Sequence, residues 1–402
     1  MDLDVAEGGL SAEAAESSGT AAAAFELSIV RDLETVREDW LAFEKTAAAT
    51  PFQTYQWMRA WRAAIGDRKT VSPLIVLGHR DGRLVFILPF AVERRRGARR
   101  LVWFAHELAD YNGPLIEPEI LKRLPEDFVA DIVERVRDLV PGIDHVCLSK
   151  QPATLCGLPN PFATYRGVPF TCGAHSARLG DNWQDFSQTH RSARSLRRLR
   201  EKEKKLARQG ALAFEAITDP AERERLMDRL VAWKIAQLTA RGDRVPFADP
   251  AARRLLRELA RATADDARFR LYALKLEGRA VALAFCLVGH GRLIYYLCAY
   301  EEGETARHSP GLLLLIHIFK AAIDEGLEVF DFSNGDEDYK THWIDRSDRI
   351  FVSLKAFTVK GRIAAAADRA EMETIRWVKR HPPLLRLANR LLRLWWGIKG
   401  AA

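Results

Sequence analysis

The stretch LYALKLEGRAVALAFCLV, residues 271–288, decides the fold of this chain. Two apolar runs flank the dipeptide Glu277-Gly278, and this pattern is typical of a β-hairpin closed by a two-residue turn. The same arrangement occurs earlier in LIVLGHRDGRLVFILPFAV, residues 74–92, where Gly82 lies 196 positions before Gly278. A hairpin that recurs in this way predicts an internal duplication.

Two further patterns recur in the same order. A short strand followed by a helix begins at Phe25 and again at Phe214, 189 positions later. A helix that leads through a glycine into a strand occurs at Gly142 and again at Gly326, an offset of 184. Each half therefore predicts strand, helix, helix, hairpin, strand, helix and strand.

These repeats predict a mixed α/β fold, with a mixed sheet of the α+β kind in each of two tandem domains. We expect the first domain at 25–169 and the second at 170–358, with the boundary in the Pro- and Gly-rich stretch 151–182. Residues 1–24 are mostly small and polar and predict a disordered leader. The alternative is a single large α/β domain.

Composition places the chain among globular proteins of a reducing compartment. The 402 residues are 48% hydrophobic and 29% charged, and the apolar runs are shorter than the ~20 residues of a membrane span. The five cysteines are widely spaced and form no CxxC pair, which argues against disulfides and a zinc site. The N-terminus lacks the features of a secretory signal. We therefore expect a cytoplasmic protein.

The positive charge is concentrated in one segment. The whole chain carries a net charge of +7, and residues 190–208 hold nine Lys/Arg against Glu201 and Glu203, which is also +7. The remainder is formally neutral. This segment predicts either a charged surface helix or a platform for a phosphate-bearing acceptor such as a nucleotide sugar, a lipid head group or an RNA acceptor stem. It contains no interleaved aromatic residue, which argues against nucleic acid held by base stacking.

The turn before the helix at 311–324 predicts an anion site. Helix N-termini offer unpaired N–H groups, and small residues let the backbone approach a pyrophosphate. The residues that we expect there are Arg307, His308, Ser309, Gly311 and Leu312. The corresponding turn of the first half carries Glu126 and Asp127, whose charge would repel a phosphate. The second half alone is therefore predicted to bind one.

The loop at 331–343 follows the last strand of the second repeat. It brings together carboxylic acid, phenol, ammonium and imidazole groups, at Asp331, Asp336, Tyr339, Lys340 and His342. Ligands gather at the carboxyl ends of strands in open α/β sheets, so this loop is a candidate for chemistry. It lacks the ligand pattern of a calcium-binding loop, and no metal site is predicted.

The C-terminal region 359–402 predicts an amphipathic helical tail. Beyond Pro383, leucines lie on one helical face and arginines on another. This pattern suits peripheral contact with an anionic membrane or docking of the tail onto the protein itself.

Taken together, these motifs resemble the duplicated-GNAT acyltransferases. The features that carry the resemblance are the tandem plan, the turn RHSPGLL at 307–313 and the motif FDFSNGDEDYKTHW at 330–343. The string PFQTYQW at 51–57 is also similar to the CelD-like, or cellulose-biosynthesis-type, acetyltransferases. The Fem peptidoglycan aminoacyltransferases are more distant relatives. The resemblance covers 25–357.

The resemblance implies direct transfer of an acyl group from acetyl-CoA or another acyl-CoA to an amine or hydroxyl, without a metal. The acceptor would be a small saccharide, an amino-acid-like molecule or a cell-envelope precursor. The strand at 296–300 would hold the pantetheine arm and stabilise the oxyanion, through Leu297, Cys298 and Ala299.

It further implies roles for the loop at 331–343. Tyr339 would be the general acid for the leaving thiolate, and Asp331 or Asp336 would orient or deprotonate the nucleophile. Lys340 would face phosphate or developing charge. Two other functions remain open: a Fem-like aminoacyl-tRNA-dependent transferase, and a catalytically degenerate polysaccharide-assembly factor held by its tail at the inner membrane face.

Overall fold

The computed structural model of the chain describes residues 25–65, 70–243, 245–335, 337–379 and 381. The predicted leader 1–24 and the tail beyond residue 381 therefore lie outside the described residues.

The first part of the chain contains nine strands and five α-helices among the residues described. In chain order they are β1 (Glu26–Val30), α1 (Arg37–Phe43), α2 (Tyr55–Ile65), β2 (Val71–Arg80), β3 (Arg83–Arg95), β4 (Ala98–Trp103), β5 (Leu115–Ile116), α3 (Pro118–Leu121), α4 (Phe128–Leu139), β6 (His145–Pro152), β7 (Thr154–Leu155), β8 (Leu158–Pro159), α5 (Pro161–Thr164) and β9 (Gly167–Arg178).

The second part repeats this order after two additional helices. Its elements are α6 (Trp183–His190), α7 (Ala193–Ala207), β10 (Leu212–Ile217), α8 (Pro220–Arg241), α9 (Pro250–Ala262), β11 (Phe269–Leu276), β12 (Arg279–Gly289), β13 (Arg292–Tyr300), α10 (Pro310–Asp324), β14 (Val329–Asn334), β15 (Arg346–Ala356) and α11 (Val359–Lys379). A 3-10 helix, Glu304–His308, precedes α10, and another, Lys340–His342, follows β14.

Thirteen strands form one mixed sheet whose order repeats, and β7 and β8 pair separately with each other. The order is β1-β2-β3-β4-β6-β15-β9-β14-β13-β12-β11-β10, and β5 pairs with β3. In each half the first three pairings are antiparallel, and the fourth, β4 with β6 or β13 with β14, is parallel. The predicted mixed α/β fold with two similar halves is confirmed.

Both predicted hairpin turns are present. Asp81 and Gly82 have φ of 53° and 73°, and Glu277 and Gly278 have φ of 51° and 70°. Two consecutive left-handed residues form the type I′ turn, whose twist matches that of the flanking strands. The turn dipeptides therefore set the register of both hairpins.

The two halves are joined by an exchange of equivalent strands. β9 follows β6 in the chain and β15 follows β14, yet β9 pairs with β14 and β15 pairs with β6. β9 and β15 also pair with each other, in antiparallel fashion, at the centre of the sheet. The expected boundary at 169/170 falls inside β9, and the stretch 151–182 contains this strand as well as a linker. The division into 25–169 and 170–358 remains a prediction.

Helices cover both faces of the sheet. One apolar cluster packs α1, α2, α8 and α9 on a face that extends across both halves, here called the α8 face. On the opposite face α4 covers the first half, and α6, α7 and α10 cover the second half. This second side is called the α10 face. Successive side chains of a strand point to opposite faces of the sheet, so neighbouring residues contact helices on opposite faces.

Helix α11 is fixed to the first half by buried charge. Asp368 accepts hydrogen bonds from Arg95 and Arg100, each at 2.9 Å, and lies 3.2 Å from the Nε2 atom of His145. No helix in the described ranges is both long and apolar enough to cross a membrane.

Candidate functional site

The parallel strands β13 and β14 pair over three residues and then diverge. The register joins Arg292–Ile294 to Val329–Asp331 and ends there, although β13 continues to Tyr300 and β14 to Asn334. Backbone groups of both strands beyond this point have no partner in the ladder between them. The result is an opening in the sheet at the carboxyl ends of two strands, where α/β proteins bind ligands.

A β-bulge at Tyr296 lies at the start of this opening. Tyr295 pairs with Cys286 and Leu297 with Phe285, so Tyr296 is the additional residue on β13. Its hydroxyl donates a 2.9 Å hydrogen bond to the carbonyl of Leu108 in the first half. Bulges change the direction of a strand and are frequent beside active sites.

The equivalent opening in the first half is bridged. β4 and β6 pair only through Arg100–His145 and Leu101–Val146. Beyond them, the N–H of Asn112 donates to the carbonyl of Lys150 at 2.9 Å, and its side-chain amide donates to the carbonyl of Ser149 at 3.1 Å. The edge of β6 is thus occupied by the chain's own loop.

Three predicted site residues line the second opening on β13. Leu297 and Ala299 are buried on the α8 face, and Cys298 lies on the α10 face between them. The Cys298 thiol is beside the hydroxyls of Tyr295 and Tyr339. Desolvation of the hydroxyl, the Cys298 thiol and the Glu337 carboxylate raise the pKa of Tyr339, although the side chain as a whole is 37% exposed, so its phenol remains a proton donor. The structure therefore brings Tyr339 to the strand predicted to hold the pantetheine arm.

Asp331 lies on the other face of the sheet from Tyr339. One of its oxygens accepts from the hydroxyl of Tyr111 at 2.8 Å and from the N–H of Ser333 at 2.6 Å. The other accepts from the guanidinium of Arg292 at 2.8 Å. Because the carboxylate is buried and both oxygens are engaged, its geometry is that of a positioning residue.

Asp110, which the sequence analysis did not single out, enters the site from the first half. Its carboxylate accepts from the hydroxyl of Ser333 at 2.6 Å and from the side-chain amide of Asn334 at 3.0 Å. Burial raises the pKa of Asp110 above its ordinary value of 3.8, although Lys150, Ser333 and Lys340 act in the opposite direction. This carboxylate thus lies at the end of β14 on the α8 face.

The loop that carries Asp110 is fixed by Lys150. The ammonium of Lys150 donates to the carbonyls of His106, Glu107 and Ala109, at 3.3, 3.1 and 2.7 Å. An Asp-Tyr-Asn cluster that follows a strand was the signal available in the sequence. Because the partner Ser333 is 223 positions away, only the fold reveals the contact.

Lys340 closes the loop after β14. It is 3% exposed, and its ammonium donates to the carbonyls of Asn334 and Gly335, both at 3.1 Å, and pairs with Glu337 at 2.6 Å. These hydrogen bonds of the Lys340 ammonium fix the position of the carboxyl end of β14. Asp336 lies outside the described residues.

The remaining motif residues differ in burial. His342 is exposed. Trp343 is fully buried, packs against Phe319 with ring centroids 5.0 Å apart, and lies under the guanidinium of Arg191 at 4.6 Å. Trp343 therefore anchors the loop on the α10 face.

The predicted anion turn lies at the N-terminus of α10. Ser309 is left-handed, with φ of 56°, and its hydroxyl accepts a 2.7 Å hydrogen bond from the ammonium of Lys202 on α7. At Gly311 an added Cβ would lie 2.9 Å from the ring of Tyr300, the last residue of β13. The end of the open strand and the start of the helix are therefore in close contact, and Leu312 follows on the partly buried side of α10.

His308 is a neutral member of this turn. Its Nε2 atom accepts from the Nε–H of Arg307 at 3.2 Å and lies 3.1 Å from the side-chain amide of Gln209. Because Arg307 can only donate, the His308 ring accepts. Burial and then Arg307, Lys205 and Lys202 lower the pKa of His308. The positive charge beside α10 therefore comes from Arg307 and from Lys202 of α7.

Known proteins share parts of the sequence and of the fold of this chain. Residues 191–341 match the model of a family described as acetyltransferase (GNAT) domain. The fold is similar to that of a conserved protein of unknown function from Bacteroides thetaiotaomicron VPI-5482, with a TM-score of 0.53 and 10% identity over 82% of this chain and 100% of that chain. It is also similar to FemX, with a TM-score of 0.53 and 9% identity over 82% of this chain and 97% of that one. A search of curated proteins finds no match.

The matched segment begins at the end of α6 and extends to the 3-10 helix after β14, so it contains the open strands, the turn before α10 and the Tyr339 loop. The chain is therefore an acyltransferase whose residues 191–341 match the GNAT acetyltransferase domain.

Proposed function

We propose that the chain transfers an acyl group from acyl-CoA to an amine or hydroxyl of a small saccharide, an amino-acid-like molecule or a cell-envelope precursor. The CelD-like acetyltransferases, by resemblance of motifs, are the branch that we assign it to. The observation that carries the proposal is the divergence of β13 and β14, with Tyr339 on the α10 face and Asp110 on the α8 face.

The α10 face fits a phosphopantetheine thioester. Lys202 and Arg307 provide positive charge at the N-terminus of α10, where the helix dipole favours a phosphate. The edge of β13 that faces β14 has no strand partner between Tyr295 and Tyr300, and it offers N–H and C=O groups to the amides of the arm. The bulge at Tyr296 frees an N–H for the oxyanion that forms during transfer.

Tyr339 supplies the proton for the departing sulfur. The C–S bond of the thioester breaks as the acyl carbon bonds to the acceptor, and the thiolate takes the phenolic proton. A raised pKa keeps Tyr339 protonated until that step.

Asp110 receives the proton of the acceptor on the opposite face. Ser333 and Asn334 fix the direction of its carboxylate, and its raised pKa makes it a stronger base than an exposed aspartate. Asp331 positions Tyr111 and Ser333 around it. Lys340 holds the end of β14, and the role of Asp336 as an alternative base remains a prediction.

A Fem-like transfer from aminoacyl-tRNA is the second candidate. The basic exposed side of α7, beside the turn before α10, favours it. A cytoplasmic location and contact of the tail with a membrane remain predictions, as does the loss of a donor site in the first half, which the bridging by Asn112 supports.

The test combines binding and turnover with the full chain. Calorimetry with coenzyme A measures donor binding, and a thiol-reactive dye measures release from acetyl-CoA in the presence of amino sugars, amino acids and sugar alcohols. We expect coenzyme A to bind and at least one acceptor class to accelerate thiol release. Absence of binding and of release, with aminoacyl-tRNA active instead, would favour the second candidate.

A further inference from the structure

Helix α7 presents a row of positive charge to solvent. Its three buried leucines, Leu196, Leu199 and Leu206, face the core, and the basic residues lie on the other side. Arg197 pairs with Glu201 at 3.6 Å. In the part of the chain that the structure describes, the following exposed residues form no salt bridge: Arg194, Arg198, Arg200, Lys204, Lys205 and Arg208.

This charge is not explained by the stability of the helix. Arg194 and Arg198 are four positions apart, as are Arg200 and Lys204, and like charges at this spacing destabilise a helix. The rest of the chain is formally neutral, because residues 190–208 account for the whole net charge of +7. The sequence therefore concentrates its excess charge on one side of a single helix.

The position of α7 connects this charge to the donor site. Lys202 bonds to Ser309 at the N-terminus of α10, and Glu203 bonds to His317, about two turns further along α10. The helix has 15 residues, a length of about 22 Å. A phosphate at the turn before α10 would contact Lys202 and Arg307. Arg194 and Arg198 lie one to two turns away from Lys202 along α7, so their charge is available to a larger partner.

We propose that α7 is the docking surface for an acidic carrier protein that delivers the acyl group on a phosphopantetheine arm. The proposal rests on the proposed function, since coenzyme A and such a carrier present the same arm and thioester. The transfer balances in the same way: the C–S bond to the arm breaks, the acyl carbon bonds to the acceptor, and the arm leaves as a thiol. The two donors differ only beyond the phosphate.

The size of the basic surface favours an acidic protein over a structured RNA. A protein contact covers about 800 Å² on each partner, which a single helix and its surroundings can supply. A structured RNA releases counterions along many phosphates and is bound best by an extended basic track, whereas the excess charge of this chain lies in the single segment 190–208. The run also has no aromatic residue on which a base could stack.

The experiment measures binding and transfer with a bacterial acyl carrier protein in apo and acetylated holo forms. The variant is Arg194→Glu with Arg198→Glu, and the matched control is Arg31→Glu with Arg37→Glu in the first half, where both arginines are exposed. Arg194 and Arg37 both lie in the first turn of a helix, where a carboxylate is favoured, so these two substitutions do not oppose folding. Thermal melting verifies the fold of each variant.

We expect the wild-type chain to bind the holo form and to lose affinity as salt is raised. The α7 variant should weaken this binding about tenfold or more, and should reduce transfer from the acetylated carrier about tenfold more than transfer from acetyl-CoA. The first-half control should leave carrier binding as in the wild type. Apo carrier should bind more weakly than holo carrier, because it lacks the arm.

Several outcomes would overturn the proposal. One is turnover of acetyl-CoA without any binding of the carrier; another is carrier binding that the α7 variant leaves unchanged. Vesicles of phosphatidylglycerol and unfractionated tRNA are tested in parallel, and if either binds in an α7-dependent way while the carrier does not, the surface has that partner instead. If neither acetyl-CoA nor the acetylated carrier is bound or turned over, the proposed function itself fails.

Discussion

The hydroxyl of Ser333 donates a 2.6 Å hydrogen bond to the carboxylate of Asp110, and this contact joins the two halves at the end of β14. Ser333 has a φ of 62°, a conformation that costs energy for a residue other than glycine. The neighbouring bonds of Ser333 N–H to Asp331 and of Asn334 to Asp110 compensate for it. The second half therefore holds a carboxylate that the first half supplies, and both halves contribute to the candidate site.

Replacement of Asp110 tests this role. Asp110→Asn keeps the size and the contact with Ser333 but removes the base, so kcat should fall by about 10²–10⁴ while coenzyme A binding persists. Since the pKa of Asp110 is raised above 3.8, the acid limb of kcat/KM in the wild type should lie above that value and should be lost in the variant. Asp138→Asn, at an exposed site on α4, is the control. An unchanged pH profile in Asp110→Asn would assign the limb to another group.

Tyr339→Phe separates packing from proton donation. The ring packs against Phe332, with centroids 6.4 Å apart, and phenylalanine preserves that contact. Turnover at saturating acetyl-CoA should fall by about 10²–10⁴, with coenzyme A affinity unchanged. Tyr165→Phe removes a hydroxyl that has no hydrogen-bond partner among the described residues, and it should change neither turnover nor coenzyme A affinity. Retention of more than about half of the turnover in Tyr339→Phe would exclude the general-acid role.

The turn before α10 is best tested at Lys202. Substitution of Gly311 would place a Cβ against Tyr300 and confound binding with packing. Lys202→Ala removes charge beside Ser309, and we expect coenzyme A to bind about tenfold more weakly, a loss of about 1.4 kcal/mol. Lys122→Ala, in the corresponding turn of the first half, should leave calorimetric affinity as it is. If Lys202→Ala and Lys122→Ala bind coenzyme A equally well, the phosphate does not bind at the turn before α10.

Local signals account for what the sequence predicted correctly. Asp81-Gly82 and Glu277-Gly278 specify their own turn geometry, and the Tyr339 loop follows a strand end in any α/β arrangement. Contacts between residues that are far apart in the sequence could not be predicted from local patterns. The exchange of β9 and β15 depends on which strand edges meet, and short strand patterns do not specify their partners.

The same limit applies within the site. A lysine on a loop gives no sign that its ammonium is buried against the carbonyls of Asn334 and Gly335. The contribution of Lys202 to the anion turn arises only because α7 packs beside α10. Both residues are lysines, and only the fold shows that one ammonium binds backbone carbonyls whereas the other lies at the N-terminus of α10.

The final prediction concerns the attachment of α11. Asp368 is 5% exposed and pairs with Arg95, Arg96, Arg100 and His145. Asp368→Asn would leave the buried guanidinium of Arg100 with one fewer anion, and loss of one partner of a buried pair costs about 3–5 kcal/mol. Glu371→Gln, whose side chain is 40% exposed, is the matched control and should cost less than about 1 kcal/mol. Thermal and urea unfolding of both variants measure the difference.

The pH dependence of the wild type provides an independent check on Asp368. Burial acts to raise its pKa, but His145 and Arg100 outweigh burial and lower the pKa from 3.8 to about 2. A lowered pKa in the folded state means that the stabilisation is complete above the unfolded value and is lost as pH falls from about 4 towards 2. The wild type should lose stability over this range more steeply than Asp368→Asn, which has no carboxyl to protonate at this position. Parallel curves for the two proteins would show that Asp368 does not contribute to acid unfolding and that α11 is held by its other contacts.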